Sequence, residues 1–140
     1  MALIATTNVE SGILHVTVTS TFSLQAAETN LLEILEAVAS ERCFKVLVDG
    51  RQIEGDPTTI QRFLYGSFAA EAVASHIRYG KVAQIPQFAY VLQEPVLDPE
   101  RFGETVALNR GLWVKVFENI DDARAWLNAA RASSADAGAA

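Results

Sequence analysis

The sequence predicts a single α/β domain in which a mixed, largely parallel sheet of about five strands packs against about four helices. Segments with strand periodicity alternate with segments of helical periodicity, which is typical of parallel strands joined by helical crossovers. A short, almost wholly apolar run in the middle of the chain fits a strand covered on both faces. The chain has 140 residues, 50% of them hydrophobic, which suffices for one compact core.

The first half of the chain predicts two strands, a helix and the central strand. Residues 3–8 and 13–19 read as strands, the second with clear alternation of apolar and polar residues, and they are expected to pair through a short turn. Apolar residues recur at three- and four-residue spacing over 23–40, which predicts a helix capped by Ser23. The apolar run 44–48 predicts the central strand, ending at residues 49–51.

The next helix is predicted over residues 57–76. Asp56 can accept hydrogen bonds from the first free N–H groups of a helix, and Pro57 suits the first helical position. Gly66 within this helix indicates close packing against a neighbour. The predicted inner face carries the apolar residues at helical spacing, which are Ile60, Phe63, Leu64, Phe68 and Val73.

The last third of the chain completes the alternation. Residues 81–85 and 88–92 both have strand composition. Because Pro86 lies between them, the sequence leaves open whether they form one strand or two. Asp98 and Pro99 predict the start of a helix that ends at Gly111, followed by a strand over 112–117 and a helix capped by Asn119. From Ala132 the composition falls to small and polar residues, so we expect one domain over 1–131 and a disordered tail over 132–140.

Composition excludes several classes of function. Eleven basic residues against 17 acidic ones give a net charge of −6, which is the wrong sign for a nucleic-acid-binding protein. We expect no integral membrane association and a cytoplasmic location, because no signal peptide or long apolar stretch is present. The single cysteine, Cys43, excludes an internal disulfide, and no cluster of metal ligands or cofactor motif is found.

A candidate site lies at the rim of the predicted central strand. Asp49 and Arg51 leave that strand, and Thr58, Thr59 and Arg62 begin the next helix. Ligands of open α/β sheets lie beyond the carboxyl ends of the strands, and a helix N-terminus attracts anions. Helix capping and solvation alone also explain these residue types, so a purely structural role stays open.

Three phrases of the sequence resemble the SpoIIAA-like branch of the STAS superfamily, sometimes grouped with lipid-binding domains. They are Val46-Leu47-Val48-Asp49-Gly50-Arg51, the run over residues 102–111, and the run over residues 116–127. The resemblance implies the fold of these domains. It also implies a regulatory role, because STAS domains of the antagonist type carry a phosphorylatable Ser or Thr at the start of the helix after the central strand. Thr58 is the closest match to that residue, with Thr59 beside it.

Three functions follow as alternatives. The first is a non-catalytic regulatory or ligand-binding module that binds a protein partner or a small anionic or lipid ligand. The second is a homo-oligomer such as a homodimer, because the apolar content is high and one core is not expected to hold all of Phe63, Tyr65, Phe68, Phe88 and Tyr90. The third is a small hydrolase or transferase with Asp49 as base and Arg51 or Arg62 stabilising an anion. No cofactor is expected for any of them.

Overall fold

The computed structural model describes the backbone of residues 4–139 and the side chains of residues 6–19 and 21–129. Strands and helices alternate after an initial strand pair, as the sequence predicts. In chain order the elements are β1 (Ile4–Glu10), β2 (Ile13–Thr21), α1 (Leu24–Glu41), β3 (Lys45–Glu54), α2 (Thr59–Arg78), β4 (Gln87–Val91), α3 (Phe102–Asn109), β5 (Trp113–Phe117) and α4 (Ile120–Ala139).

The strands lie side by side in chain order, from β1 at one edge to β5 at the other. β1 and β2 are antiparallel, and the pairs from β2 to β5 are parallel. β3 therefore lies in the middle of the sheet, as its apolar run predicts. The predicted fold class, a mixed and largely parallel sheet with helices packed on it, is confirmed.

The helices are divided unequally between the two faces of the sheet. Because β2 to β5 follow one another in one direction, right-handed crossovers put the connecting helices α1, α2 and α3 on the same face. That face buries the larger core, which includes Leu14, Val46 and Val48. α4 covers the opposite face, where a smaller core contains Leu47 and Leu127. Because successive side chains of β3 point to opposite faces of the sheet, this strand contributes residues to both cores.

β3 is longer than the sequence predicts. The strand was expected to end at residues 49–51, but it continues to Glu54 because β2 extends to Thr21 and pairs with it over this length. Between the pairs Thr17↔Asp49 and Thr19↔Gln52, β3 has one residue more than β2. This bulge changes which residues face the larger core, so that Ile53 packs there although Asp49 does not.

α2 begins two residues later than predicted. Its N-cap is Thr58, whose hydroxyl accepts from the backbone N–H of Gln61, while the Gln61 side chain accepts from the N–H of Thr58. This reciprocal pair replaces the predicted cap by Asp56 and start at Pro57. The predicted inner face is also partly wrong, because its first three members, Ile60, Phe63 and Leu64, are exposed. Val73 is buried as predicted, and the small residues Gly66, Ala69, Ala70 and Ala72 are the other buried positions of the helix.

Two further boundaries differ from the prediction. Residues 81–85 contain bends and no strand, and only the second candidate segment forms a strand, β4. α3 begins at Phe102 and not at Pro99, because both carboxylate oxygens of Asp98 accept from backbone N–H groups, those of Glu100 and Phe102, before the helix starts.

The predicted caps of the other long helices are present. The Ser23 side chain accepts from the N–H of Ala26, and the Asn119 side chain accepts from the N–H of Asp122. The backbone of α4 includes residues 132–139, for which composition predicts a disordered tail. The side chains of residues 130–140 lie outside the described part of the chain, and the boundary at residue 131 stays a prediction.

Candidate functional site

Asp49 and Arg51 form a bidentate ion pair within β3. The Arg51 Nε and Nη2 atoms donate to the two carboxylate oxygens of Asp49, each at 2.9 Å, and the Arg51 backbone N–H donates to Oδ1 at 3.2 Å. The side chain of Asp49 is 21% exposed and that of Arg51 is 43% exposed. The two charges therefore neutralise each other at the surface of the sheet.

This pairing determines what Asp49 can do chemically. Its hydrogen bonds from the Arg51 side chain hold the pKa of the Asp49 carboxyl below its ordinary value of 3.8, against the opposing effect of burial. A carboxylate with a lowered pKa is a weak general base at neutral pH. A guanidinium that is already engaged by a carboxylate is also a poor anion site. The geometry thus gives little support to the hydrolase or transferase alternative.

The start of α2 presents two hydroxyl groups. The Thr58 hydroxyl accepts from Gln61 N at 3.1 Å as the helix cap, and its side chain is exposed. Thr59 is the first helical residue and is also exposed. The two threonines therefore lie beside each other at the positive end of α2, where negative charge is favoured.

Arg62 connects α2 to the segment after β4. Its Nη1 donates to the carbonyl oxygen of Val96 at 2.7 Å, and its Nη2 donates to that of Pro95 at 2.8 Å. Nη2 also lies 4.0 Å from the exposed carboxylate of Asp56. The guanidinium is largely occupied by these carbonyl groups, so Arg62 has a structural explanation of its own.

The five residues of the predicted rim therefore separate into two groups. Side chains two residues apart on a strand point to the same face, so Asp49 lies on the same side of the sheet as Leu47, the side covered by α4. Arg51 pairs with Asp49. Arg62 lines a pocket on the side covered by α1, α2 and α3. In the described part of the chain, no hydrogen bond or ion pair joins Asp49 or Arg51 to Thr58, Thr59 or Arg62.

The pocket is a mostly apolar cavity of about 150 Å³ between the sheet and α1, α2 and α3. Its walls come from all three helices, from β2 to β5 and from the segment after β4. Seven of the lining side chains are polar: Asn30, Arg62, Tyr65, Tyr90, Asp98, Arg101 and Glu104. The volume is that of a small molecule with few heavy atoms.

Two tyrosine hydroxyls meet at this pocket. The hydroxyl oxygens of Tyr65 on α2 and Tyr90 on β4 lie 2.8 Å apart, and the two rings make an edge-to-face contact. Burial raises the pKa of Tyr65 well above its ordinary value of 10.0 and that of Tyr90 to about 12. Both phenols are therefore neutral at neutral pH.

The charged lining residues are tied to the backbone around the pocket. The guanidinium of Arg101 donates to the carbonyl oxygen of Val116, and the carboxylate of Glu104 accepts from the N–H of the same residue. These bonds attach the start of α3 to β5. The charges at the pocket thus serve to join its walls.

An apolar patch lies on the outer face of α2 beside the two threonines. Ile60 is 70% exposed, Phe63 39% and Leu64 42%, and their spacing places them on one side of the helix. The guanidinium carbon of Arg110 lies 5.6 Å from the centre of the Phe63 ring. We call Ile60, Phe63 and Leu64 the α2 patch.

Sequence reasoning missed the pocket and, apart from Arg62, its polar residues. Asn30 lies among the buried positions of α1, between Ala27 and Ile34, so a polar residue in an apolar stripe was the available signal. Tyr65 and Tyr90 carried no such signal, because their meeting depends on the packing of α2 against β4.

Metal and membrane chemistry receive no support from the structure. Among the side chains that the structure describes, no group of three or more His, Cys, Asp or Glu residues could hold a metal ion. Across residues 4–139, no helix combines the length and the apolar composition that crossing a bilayer requires.

Comparison with known proteins identifies the fold. No protein-family model and no curated protein matches the sequence. The structure is similar to that of an anti-sigma factor antagonist from Mycobacterium paratuberculosis, with a TM-score of 0.58 and 15% identity over 91% of this chain and 95% of that one. It is also similar to an uncharacterised DUF3478-family protein with a SpoIIAA-like fold from Shewanella loihica PV-4, with a TM-score of 0.50 and 15% identity over 90% of this chain and 94% of that one. The chain therefore has a SpoIIAA-like fold.

Proposed function

We propose that the protein is a non-catalytic regulatory module that binds a protein partner through the start of α2. The observation that carries this proposal is the α2 patch, in which three large apolar side chains are exposed in the first two turns of one helix. Such a cluster is unfavourable in water and is typical of a surface that another molecule covers. The similarity in fold to an anti-sigma factor antagonist supports a partner that is a protein.

Thr58 is the proposed regulatory residue of this surface. It is exposed, it caps the helix that follows the central strand, and it lies two residues before the α2 patch. A phosphate here would be stabilised by the helix N-terminus and would place about two negative charges beside the apolar side chains. Phosphorylation of Thr58, or of the neighbouring Thr59, would therefore weaken the binding of an apolar partner surface.

The remaining parts of the predicted rim have less support. The charges of Asp49 and Arg51 satisfy each other, and Arg62 is engaged by carbonyl oxygens, so a small anion finds no unoccupied cation among these three residues. A homodimer formed through the α2 patch is an alternative occupant of the same surface. A cytoplasmic location is part of the proposal, as expected for a regulator of this kind.

The proposal is tested by the double substitution Ile60→Ser/Leu64→Ser. Both residues are exposed, so the variant should fold normally. The tagged wild type is expected to retain a specific protein from a lysate of the source organism, and the variant is expected to lose it. Leu32→Ser, which changes an equally exposed leucine on α1, is the control and should retain the same protein.

Two outcomes separate the alternatives. Capture that is the same for wild type and the α2 variant contradicts the proposal. If light scattering shows that the wild type is a dimer and the α2 variant a monomer, the occupant of the patch is a second copy of this chain. Mass spectrometry of the protein from its source then shows whether Thr58 or Thr59 carries phosphate.

A further inference from the structure

The two edges of the sheet differ in how far they are closed. β5 forms one edge, and the carbonyl oxygen of Phe117 accepts from the N–H of Leu92, which follows β4. Since the backbone groups of successive residues alternate between the two sides of a strand, those of Val116 point away from β4. Both are engaged, because the Arg101 guanidinium donates to the carbonyl oxygen and the Glu104 carboxylate accepts from the N–H. This edge is therefore closed at Val116 to an added strand.

β1 forms the other edge, and the turn after it determines which of its backbone groups point outward. Ser11 and Gly12 join β1 to β2 as a two-residue connection, and their φ angles of 55° and 78° are both positive, as in a type I′ turn. Such a turn makes its flanking residues, Glu10 and Ile13, a hydrogen-bonded pair. Because the pairs of an antiparallel ladder alternate, the residues whose N–H and C=O groups point away from β2 are Ala5, Thr7 and Val9.

β1 lacks the features that usually protect an edge strand. It pairs with β2 without a bulge along its whole length, and it contains no lysine or proline. Residues 6–10 are exposed, among them Val9 at 44%. Beyond the ladder with β2, no backbone hydrogen bond joins residues 5–10 to any other residue that the structure describes. The outward groups of this edge are thus available to another strand.

We propose that β1 pairs antiparallel with β1 of a second copy of this chain, so that the two sheets become one continuous sheet. A two-fold axis at Thr7 places Thr7 opposite itself and Val9 opposite Ala5 of the other copy. In this pairing, which we call the Thr7 register, every outward N–H and C=O meets its counterpart, because these residues form the hydrogen-bonded pairs of the new ladder.

The charge pattern of β1 favours a second copy as the occupant. Glu10 is the one charged residue in the strand, and the Thr7 register places it opposite Ile4 of the other copy and away from the second carboxylate. Most of the other residues are β-branched, a type that is favoured where strands have neighbours. The surface is separate from the α2 patch, because β1 packs against β2 and α1. The inference therefore does not rest on the proposed function.

Thr7→Pro tests the pairing of the backbone. Proline removes the outward N–H of residue 7 and takes no hydrogen bond from the ladder with β2. Sedimentation of the full chain from about 1 µM to about 1 mM gives the dissociation constant of the dimer. The wild type is expected to dimerise in this range, and Thr7→Pro is expected to weaken the dimer at least about tenfold. Thr7→Val keeps the N–H and is the matched control, which should leave the constant unchanged.

A charge exchange at the same residue tests the register and does not depend on the fold of the proline variant. Thr7 is exposed, so Thr7→Lys and Thr7→Glu should both fold. Each variant alone places like charges opposite each other at the two-fold axis and is expected to dimerise at least about tenfold more weakly than the wild type at low ionic strength. An equal mixture of the two variants places opposite charges there and is expected to recover the dimer.

Four results would overturn the inference. They are a wild type that stays monomeric up to about 1 mM, a folded Thr7→Pro variant with an unchanged dimer, a mixture of charge variants that is no better than either alone, and a dimer that Ile60→Ser/Leu64→Ser abolishes. If the wild type is monomeric and Thr7→Pro loses a protein that the tagged wild type captures, the edge binds a strand of that protein instead. Because Ile60→Ser/Leu64→Ser should leave the β1 dimer intact, the failure of this inference and that of the α2 patch can be told apart.

Discussion

On the α4 side of β3, the carboxylate of Asp49 is fully engaged by Arg51, whereas on the opposite side the Asn30 amide oxygen has no partner in the described part of the chain. The first group carries a full charge and looks functional in the sequence. The second is a neutral amide whose signal in the sequence is its place in the apolar stripe of α1. Partners, more than residue type, thus distinguish a polar group that stabilises the fold from one that leaves a hydrogen bond unmade.

The two sides also differ in how closely their elements pack. On the pocket side, α2 and α3 approach each other at Gly66 and Gly103, both of which line the cavity. The Asp49–Arg51 pair lies at a partly exposed surface where solvent screens its charges. Substitutions on the pocket side should therefore cost more stability than substitutions in the ion pair.

The largest expected effect is that of Gly66→Ala. A Cβ atom at Gly66 would lie 2.8 Å from the carbonyl oxygen of Gly103, which is backbone and cannot turn aside. Forcing α2 and α3 apart should lower the free energy of unfolding by about 3 kcal/mol. The better helix propensity of alanine should offset about 1 kcal/mol of this loss. Chemical denaturation should show a net loss of about 2 kcal/mol in the free energy of unfolding.

Gly103→Ala is the matched control for this helix contact. Its Cβ would lie 3.3 Å from the carbonyl oxygen of Arg62, a contact that small shifts relieve. The helix propensity of alanine should then balance the cost, leaving stability within about 0.5 kcal/mol of the wild type. Equal losses for both variants would show that Gly66 does not determine the approach of the two helices.

Much of the fold could be predicted from the sequence because the relevant signals are local. The apolar run 44–48 identified the central strand, and Ser23 and Asn119 identified the starts of two helices through their own side chains. The end of β3 could not be predicted in this way. It depends on the length of β2 and on a bulge, and both arise from pairing between distant segments.

The start of α2 shows a different limit. Two capping signals overlap there, Asp56 followed by proline and Thr58 followed three residues later by Gln61, and each is sufficient by itself. The Thr58–Gln61 pair forms in the structure, where each side chain accepts from the backbone N–H of the other residue. Asp49 pairs with Arg51 two residues along β3, a contact that the sequence pattern did not indicate.

A smaller effect is expected from Thr58→Ala. This substitution removes the oxygen that accepts from Gln61 N, and loss of such a cap typically costs about 1 kcal/mol. Thr58→Ser keeps the oxygen and should retain most of the stability. Thr59→Ala changes an exposed neighbour with no role in the cap, so urea denaturation should show a change within about 0.5 kcal/mol. A larger loss for Thr59→Ala than for Thr58→Ala would contradict the assigned cap.

The smallest effect is expected from Asp49→Asn, which removes the charge but keeps the shape of the side chain. Because solvent screens this partly exposed pair, the loss at neutral pH should be about 0.5 kcal/mol. Arg51→Gln removes the other charge and should cost a similar amount.

The dependence of this loss on pH identifies its origin. The pKa of Asp49 is lower in the folded protein than its ordinary value of 3.8, so the unfolded state takes up the proton first as the pH falls. The stabilisation by the pair is therefore complete above pH 3.8 and is lost as the pH falls through the lower, folded pKa. Unfolding curves at several acidic pH values should show the wild type and Asp49→Asn converging below pH 3.8. A difference that persists unchanged there would mean that the carboxylate charge is not what stabilises this side of β3.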